Sequence, residues 1–255
     1  MKPCHRHKEG WLNACFSGKR PFKFENIPFP SSLKVAVIAP HPDDFDAIAA
    51  SLRILHLNGN CIELLVLTSG DSGVEDAYAE ARSPLTKGEI REREQIASCR
   101  FFGLPESQVR FLRLAVDSKG NMEDSSGNFE VFKSSLPSIK PDIVFMPHGN
   151  DTNSDHRNCY AMYKHVSKEN NLSAVVLLNR DPKTISMRTD LITSFSGKTA
   201  EWKKELLRFH DSQQQRNLRI RGSGFDDRIL QANAKAASDL VLPDFAETFE
   251  IEIHR

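Results

Sequence analysis

The sequence has no excess of charge of either sign, no apolar run long enough to span a membrane, and few cysteines. Lys plus Arg and Asp plus Glu each number 34, so the formal net charge is zero. This balance does not favour nucleic acid or an anionic membrane as a partner, and an anionic substrate would have to be met by local groups. Because no stretch of about 20 apolar residues occurs, no transmembrane segment is predicted.

The cysteines and the N-terminus indicate a cytoplasmic protein. The five cysteines are odd in number and scattered along the chain, which is typical of reduced thiols rather than of a disulfide framework. The first twenty residues are basic but lack the apolar segment of a secretory signal. They include residue types that can bind a metal, but we interpret them as a flexible polar arm: Cys4, His5, His7 and Cys15.

Short apolar runs alternate with longer amphipathic segments, which predicts an α/β fold. The predicted strands are 34–39, 62–67, 109–113, 142–147 and 174–178. The predicted helices between them are 44–58, 87–103, 129–139 and 155–169. Several strands are apolar on both faces, as in a parallel sheet covered by helices on both sides. We therefore expect a Rossmann-like, mostly parallel sheet in a single domain, 34–255, preceded by an extension, 1–33.

After residue 180 the pattern is weaker. A helix is predicted near 199–215, a second helix over 226–240, and a strand in the alternating segment 245–253. No internal repeat, low-complexity tract or long linker interrupts the chain, which supports one domain. The oligomeric state stays open, a homo-oligomer included.

A cluster of metal-ligand types follows the first predicted strand, in "VIAPHPDDFDAIAA", residues 37–50. In open α/β sheets, ligands bind beyond the carboxyl ends of the strands. A loop there can direct His41, Asp43 and Asp44 towards one point. Imidazole and carboxylate together suit zinc and similar divalent ions, although a single aspartate at this place could simply cap the following helix.

A second cluster, "PHGNDTNSDHRN", residues 147–158, follows the fourth predicted strand. It offers four side chains that can bind a metal: His148, Asp151, Asp155 and His156. A strand order that brings the two clusters together would let one of these histidines join His41 and Asp44. Three protein ligands and an exchangeable water make a catalytic zinc site. Taken singly, each histidine could equally be an ordinary loop residue.

The two clusters resemble the LmbE-like family of N-acetylglucosaminylphosphatidylinositol de-N-acetylases. The signature "APHPDD", residues 39–44, is similar to the family's first motif, and Asp155-His156 is similar to its distant partner. Weaker similarities follow in the family's order: "TSGDSG" at 68–73, "REREQIASCRFFGL" at 91–104, "HDSQ" at 210–213 and "AETF" at 246–249. The resemblance covers about residues 34 to 250.

The resemblance implies an enzyme with one divalent ion per chain, usually zinc, that hydrolyses an N-acetyl amide on a glucosamine-containing small molecule. It implies His41, Asp44 and His156 as metal ligands. It also implies Asp43 as the general base that activates a zinc-bound water, and Arg91 as a residue directed towards the substrate. The substrate could be a free sugar, a nucleotide sugar, a glycolipid, a thiol conjugate or an antibiotic precursor.

Two positions depart from the family's pattern. Phe45 stands where the family usually has Glu, and Asn153 stands where it often has a histidine that stabilises the oxyanion. Asparagine can still donate a hydrogen bond to an oxyanion, but it cannot supply an acidic proton to the leaving amine. His148 or His210 could replace that function.

Three further features have two interpretations each. Asp155 could orient an imidazole or face solvent. Asp117, after the third predicted strand, could accept a hydrogen bond from a sugar hydroxyl or form a turn. The basic segment 216–224 could meet a phosphate or be solvated surface. Two alternative functions also remain: an amidase for another N-acyl group, and a sugar-binding family member without catalytic activity.

Overall fold

An eight-stranded mixed sheet forms the centre of the computed structural model, which describes residue 16 and residues 18–254. The strands are β1 (Phe22–Lys23), β2 (Lys34–Ala39), β3 (Cys61–Val66), β4 (Val109–Phe111), β5 (Ile143–Pro147), β6 (Ala174–Asn179), β7 (Leu191–Phe195) and β8 (Phe245–His254). Their order in the sheet is β1-β7-β8-β6-β5-β2-β3-β4. All neighbours are parallel except β8, which runs antiparallel to both β6 and β7. The predicted α/β class and mostly parallel sheet are confirmed. The N-terminal residues Cys4, His5, His7 and Cys15 lie outside the described part of the chain.

Helices connect the strands. They are α1 (Asp44–Ala47), α2 (Ala49–Leu57), α3 (Pro84–Phe102), α4 (Ser126–Ile139), α5 (Ser154–Glu169), α6 (Gly197–Leu207), α7 (Asp211–Arg221) and α8 (Phe225–Asp239). The predictions of a single helix over 44–58 and of a single helix over 199–215 were wrong, because the structure has two helices in each of these ranges. Ile48, with φ −118° and ψ 20°, separates the first pair, and His210, with φ −85° and ψ 60°, separates the second. Apolar periodicity continues across both breaks, so the pattern alone does not show them.

The sequence pattern missed two strands. β1 has only two residues, and β7 follows a polar segment without a clear alternation. Both lie at one end of the sheet, where β1 pairs with β7. Phe24, directly after β1, is fully buried, with its ring centroid 6.4 Å from that of Phe145 in β5. The boundary between an extension, 1–33, and the domain stays a prediction.

The core lies on both faces of the sheet. In β2, Val35 and Val37 pack into one apolar cluster, and Ala36 and Ile38 pack into the cluster on the opposite face. A strand that is buried on both faces has apolar residues at successive positions, and the sequence KVAVIA therefore predicted a strand. Within the described residues, no helix combines the length and the apolar character that crossing a membrane requires.

The strand order places two chain segments side by side at one edge of the sheet. From β2 the chain proceeds outward through β3 and β4, and the later strand β5 then pairs with the other side of β2. Because β2 and β5 are parallel, the loops after Ala39 and after Pro147 leave the sheet next to each other. The strand order therefore reverses between β5 and β2, and open α/β sheets bind ligands at such a reversal.

Candidate metal centre

Two histidines and an aspartate from the two loops converge at this edge. The ligand atoms of His41, Asp44 and His156 all lie within 4.8 Å of one another. His41 Nδ1 is 3.5 Å from Asp44 Oδ2, and His156 Nε2 is 3.7 Å from Asp44 Oδ1. Nitrogen and oxygen ligands lie about 2.0–2.2 Å from zinc, so tetrahedral neighbours are separated by about 3.3–3.6 Å. In spacing and in donor type, these three residues fit a divalent ion.

The electrostatics of this triad favour positive charge. Burial disfavours the protonated form of His41, but contacts with Asp155 and Asp44 outweigh it and raise the pKa of His41 to about 9. The same balance, with Asp151 and Asp44 as the carboxylates, raises the pKa of His156 to about 10. Burial alone would raise the pKa of Asp44, yet the two imidazoles hold that pKa far below its usual range. The carboxylates therefore stabilise a cation at this point, whether it is a proton on imidazole or a metal.

A carboxylate lies behind each imidazole. Asp155 Oδ2 is 2.7 Å from His41 Nε2, and its other oxygen accepts the Met122 N–H at 2.8 Å. An ionised carboxylate only accepts, so His41 Nε2 carries a proton, and in the neutral imidazole that binds a metal Nδ1 would present its lone pair to the triad. Asp151 Oδ2 lies 3.3 Å from His156 Nδ1, although the hydrogen-bond geometry is not met there. Carboxylates at this place fix the orientation and tautomer of metal-binding histidines.

Asp43 lies beside the triad in an unusual backbone conformation. Its φ of 117° is in the left-handed region, which aspartate tolerates better than most side chains. The Asp43 N–H donates to Gln95 Oε1 at 2.9 Å, and Arg91 Nη2 donates to Asp43 Oδ2 at 2.9 Å. Arg91 also donates to the Pro42 carbonyl. Helix α3 thus holds both the backbone and the carboxylate of Asp43.

Arg91 is 2% exposed and lines the cavity over the triad, while its charge is engaged by Asp43. The sequence-based expectation directed it towards the substrate. In the structure its hydrogen bonds go to the loop of Asp43, so its observed contacts are those of a residue that positions the carboxylate.

The departure at Phe45 has a structural explanation. Phe45 is fully buried and its ring meets that of Phe102 edge-on, with the centroids 5.0 Å apart. The next residue, Asp46, is also fully buried and accepts hydrogen bonds from Gln95 at 3.1 Å and from Ser98. His210 Nε2 lies 2.7 Å from Asp46 Oδ2. Position 45 therefore belongs to the core, and Asp46 links the loop to α3 and to the beginning of α7.

Asn153 caps helix α5. Its Oδ1 accepts the Asp155 N–H at 3.0 Å, so its amide nitrogen takes no part in the cap, and the residue lines the cavity. His148 and His210, the two histidines considered as substitutes for an acid, are not among the residues that line this cavity. His148 accepts the Asn150 N–H through Nδ1, and His210 is engaged by Asp46.

A cavity of about 360 Å³ opens over the triad. Its lining includes His41, Asp44 and His156, together with Gly70, Ser72 and Gly73 from the segment "TSGDSG". Asp117 does not line it. The Asp117 carboxylate instead accepts the N–H groups of Lys119 at 2.8 Å and Asn121 at 2.9 Å, which is the turn-forming alternative.

Sequence reasoning gave no role to two residues of this site. Asp151 was noted only as one carboxylate in a loop that offered several. Gln95 lies four residues after Arg91 on the same helix, a spacing that places both on one face. That spacing could have identified Gln95 once Arg91 was singled out, whereas coordinates were required to show that Asp155 lies behind His41 and Asp151 behind His156.

Comparisons with known proteins agree with the resemblance seen in the motifs. A family model described as "GlcNAc-PI de-N-acetylase" (PIG-L) matches residues 36–167, just over half of the chain. A search of curated proteins found no match.

Several solved structures share the fold. An N,N'-diacetylchitobiose deacetylase from Pyrococcus horikoshii superposes with a TM-score of 0.72 at 18% identity, covering 99% of this chain and 94% of that chain. A deacetylase of the teicoplanin biosynthetic pathway superposes with a TM-score of 0.65 at 15% identity, covering 86% and 98%. A 4-carboxy-2-hydroxymuconate hydratase from Pseudomonas putida KT2440 gives 0.65 at 14% identity, covering 88% and 98%. At such identities the likeness shows the fold alone, and the hydratase illustrates that the fold supports more than one reaction.

Proposed function

The chain belongs to the GlcNAc-PI de-N-acetylase family, and we propose that it is a metal-dependent hydrolase that removes the N-acetyl group from an N-acetylglucosamine-containing substrate. The proposal is supported mainly by the convergence of His41, Asp44 and His156, which line one cavity together with Asp43. The diacetylchitobiose deacetylase and the teicoplanin-pathway deacetylase described above share the fold.

His41, Asp44 and His156 would hold the metal, with zinc favoured by two imidazoles and one carboxylate. When bound, such an ion lowers the pKa of a coordinated water towards neutrality and polarises the acyl oxygen. Asp155 keeps the His41 ring in the orientation and tautomer in which Nδ1 faces the triad.

Asp43 is the general base in this proposal. Its carboxylate is beside the triad, and Arg91 holds it in place through the 2.9 Å hydrogen bond to Oδ2. Asp43 takes the proton from the attacking water, and the amide nitrogen of Asn153 donates a hydrogen bond to the developing oxyanion.

The leaving amine needs a proton, which Asn153 cannot supply in place of the family's histidine. His148 and His210 are outside the lining. The proton that Asp43 has removed from water is the one then delivered to the nitrogen. One water is consumed, the amide C–N bond breaks, and acetic acid and the amine are released, which at neutral pH are acetate and the protonated amine.

Acetate release from a panel of N-acetylglucosamine compounds tests the function. Wild-type protein loaded with about one zinc ion per chain should release acetate from at least one member. An Asp43→Asn variant should be nearly inactive, and Asp239→Asn, at an exposed aspartate of α8 outside the cavity, serves as the matched control. Release of a different acyl group, without release of acetate, would favour the amidase that acts on another N-acyl group. Binding of a sugar without release of any acid would favour the non-catalytic alternative.

A further inference from the structure

A second pocket, of about 580 Å³, lies at the edge of the sheet opposite to the metal centre. It is bordered by the end of β8 and the last turns of α5, where His254 pairs with Ala174, the first residue of β6. The metal loops leave the carboxyl ends of parallel strands, whereas this pocket adjoins the amino end of one. Helix α5 runs between the two places, so His156 and Ser167 lie ~16 Å apart along its axis. The two pockets are therefore separate.

Three side chains that line the second pocket are joined by hydrogen bonds. Ser167 Oγ lies 3.1 Å from His254 Nδ1, and His254 Nε2 lies 3.1 Å from Glu252 Oε2. Glu252 and His254 are two positions apart in β8, which places both side chains on the same face of the sheet. A hydroxyl in contact with an imidazole that a carboxylate orients is the arrangement by which serine hydrolases activate their nucleophile.

The carboxylate determines where the protons lie. The hydrogen bond with His254 holds the pKa of Glu252 below its usual range, and the hydrogen bond from the Tyr160 hydroxyl adds to it, so that the opposing effect of burial is outweighed. Ionised Glu252 only accepts, so His254 Nε2 carries the proton and Nδ1 of the neutral ring accepts from Ser167. The Leu172 carbonyl, at 3.4 Å, is the more distant acceptor for that hydroxyl. Glu252 thereby sets the tautomer in which His254 can remove the proton of Ser167.

Hydrogen-bond donors border the same pocket. Lys164, Lys168 and Asn171 line it together with the three residues above. Ammonium and amide N–H groups can stabilise the negative charge that develops on a carbonyl oxygen when a nucleophile attacks it. Long lysine side chains are less fixed than backbone N–H groups, which favours an ester as substrate, since an ester needs less activation than an amide.

We propose that Ser167, His254 and Glu252 form a second hydrolytic site, which cleaves carboxylic esters of small acyl groups. Ser167 Oγ attacks the acyl carbon, and its proton passes to His254 Nδ1. The ester C–O bond breaks, and His254 returns the proton to the leaving alkoxide, which departs as an alcohol. Water then attacks the acyl group on Ser167 while His254 removes a proton from it, and the carboxylic acid leaves as Ser167 regains its proton. These steps use water as the second reactant and are independent of the deacetylase proposed above.

Reaction with an alkyl fluorophosphonate tests the activated serine directly. Ser167 Oγ forms a bond to phosphorus and fluoride leaves, so the adduct accumulates whatever the rate of ester turnover. We expect about one adduct per chain in the zinc-loaded protein, located on Ser167 by peptide mapping with mass spectrometry. Absence of an adduct on Ser167 would overturn the proposal. An adduct there without hydrolysis of 4-nitrophenyl acetate above that of Ser167→Ala would overturn the esterase.

Variants of the serine and the histidine locate the reactivity. Ser167→Ala should abolish the adduct, whereas Ser134→Ala, at an exposed serine of α4 whose hydroxyl is bonded within its own helix, should not change it. His254→Gln removes the base and should slow labelling by ~10²–10⁴-fold. Labelling of His254→Gln at the wild-type rate would contradict the role of His254. If Ser167→Ala does not fold, His254→Gln, at a half-buried position at the end of β8, still provides the comparison.

Glu252 is a positioning residue, and two substitutions distinguish its charge from its packing. In Glu252→Gln the side-chain amide can donate to Nε2 and favour the wrong tautomer, so labelling of Ser167 should slow by ~10-fold or more. Glu252→Asp keeps a carboxylate and should retain more of the rate than Glu252→Gln does. Equal losses in the two variants would mean that Glu252 does not set the tautomer. Failure of acetate release from the sugar panel would concern the metal centre alone, because the second pocket shares none of the residues that line the cavity there.

Discussion

Asp155 Oδ2 lies 2.7 Å from His41 Nε2, although 114 residues separate the two in the chain. Asp155 directly precedes His156, so the first turn of one helix provides both a proposed ligand and the carboxylate that orients another. The second oxygen of Asp155 accepts the N–H of Met122, which ties a third segment to the site. The two loops at this edge of the sheet are thereby coupled through a single side chain.

Replacing Asp155 by Asn should weaken metal binding by ~10–100-fold. Asparagine has one acceptor oxygen, whereas Asp155 accepts from both His41 and Met122, so one of the two contacts must be lost. Competition with a chromogenic chelator measures the affinity. Asp239→Asn, at an exposed position outside the cavity, provides the control, and an Asp155→Asn protein that holds zinc as tightly as wild type would refute the orienting role.

Asp43→Asn should keep the metal and reduce turnover by ~10²–10⁴-fold, because asparagine cannot accept the proton of the attacking water. His41→Ala should instead lose the metal, since it removes a ligand. Metal analysis of both purified variants, together with acetate release, separates the two effects.

The outcome at Asp43 is decisive for the mechanism. Wild-type turnover by Asp43→Asn would show that another group removes the proton. If Asp43→Asn also lacked metal, the carboxylate would have to be counted among the ligands.

Gln95→Leu should lower kcat by about tenfold with the metal content unchanged. Gln95 accepts the N–H of Asp43 at 2.9 Å and donates to Asp46 at 3.1 Å, and leucine can do neither. The loss should fall on the position of the general base rather than on the triad. Gln215→Leu, an exposed glutamine of α7, is the matched control. If kcat is unaffected by Gln95→Leu, Arg91 alone is sufficient to hold Asp43.

The sequence predicted which segments would form the site, but not how they are held. A histidine and two aspartates at a strand end, and an aspartate-histidine pair at another, are local patterns that can be read directly. The adjacency of β2 and β5 follows from strand order, which no local pattern contains. The contacts of Gln95 with Asp43 and of Asp151 with His156 depend on positions to within an ångström, so the sequence did not identify them.

The C-terminal segment "AETF", residues 246–249, is a second case in which the sequence pattern was visible but its structural role was not. The sequence offered no reason for its glutamate. In the structure Glu247 accepts the N–H groups of Ala50 at 3.0 Å and Ser51 at 2.8 Å, at the beginning of α2. This helix follows the proposed metal loop, so a residue near the end of the chain fixes the position of the first motif.

The buried partner of Glu247 supplies the last prediction. Lys203 is fully buried, and its Nζ donates to Glu247 Oε1 at 2.6 Å, to the Ala47 carbonyl at 2.6 Å and to Asn233 Oδ1 at 2.9 Å. Lys203→Met preserves most of the side-chain volume but leaves the carboxylate without its counterion. The free energy of unfolding should therefore fall by ~3–5 kcal/mol, as measured by urea denaturation.

Two companion variants determine whether charge is the cause of that loss. Lys235→Met removes an exposed lysine whose Nζ lies 2.9 Å from Asp239, and it should change the stability by less than ~1 kcal/mol. Adding Glu247→Gln to Lys203→Met removes the unpaired buried charge, so the double variant should regain part of the stability. A double variant less stable than Lys203→Met alone would mean that Glu247 acts mainly as the acceptor for α2. In that case the carboxylate is required there even without its lysine, because its two oxygens accept the N–H groups of Ala50 and Ser51 separately, whereas glutamine has a single acceptor oxygen.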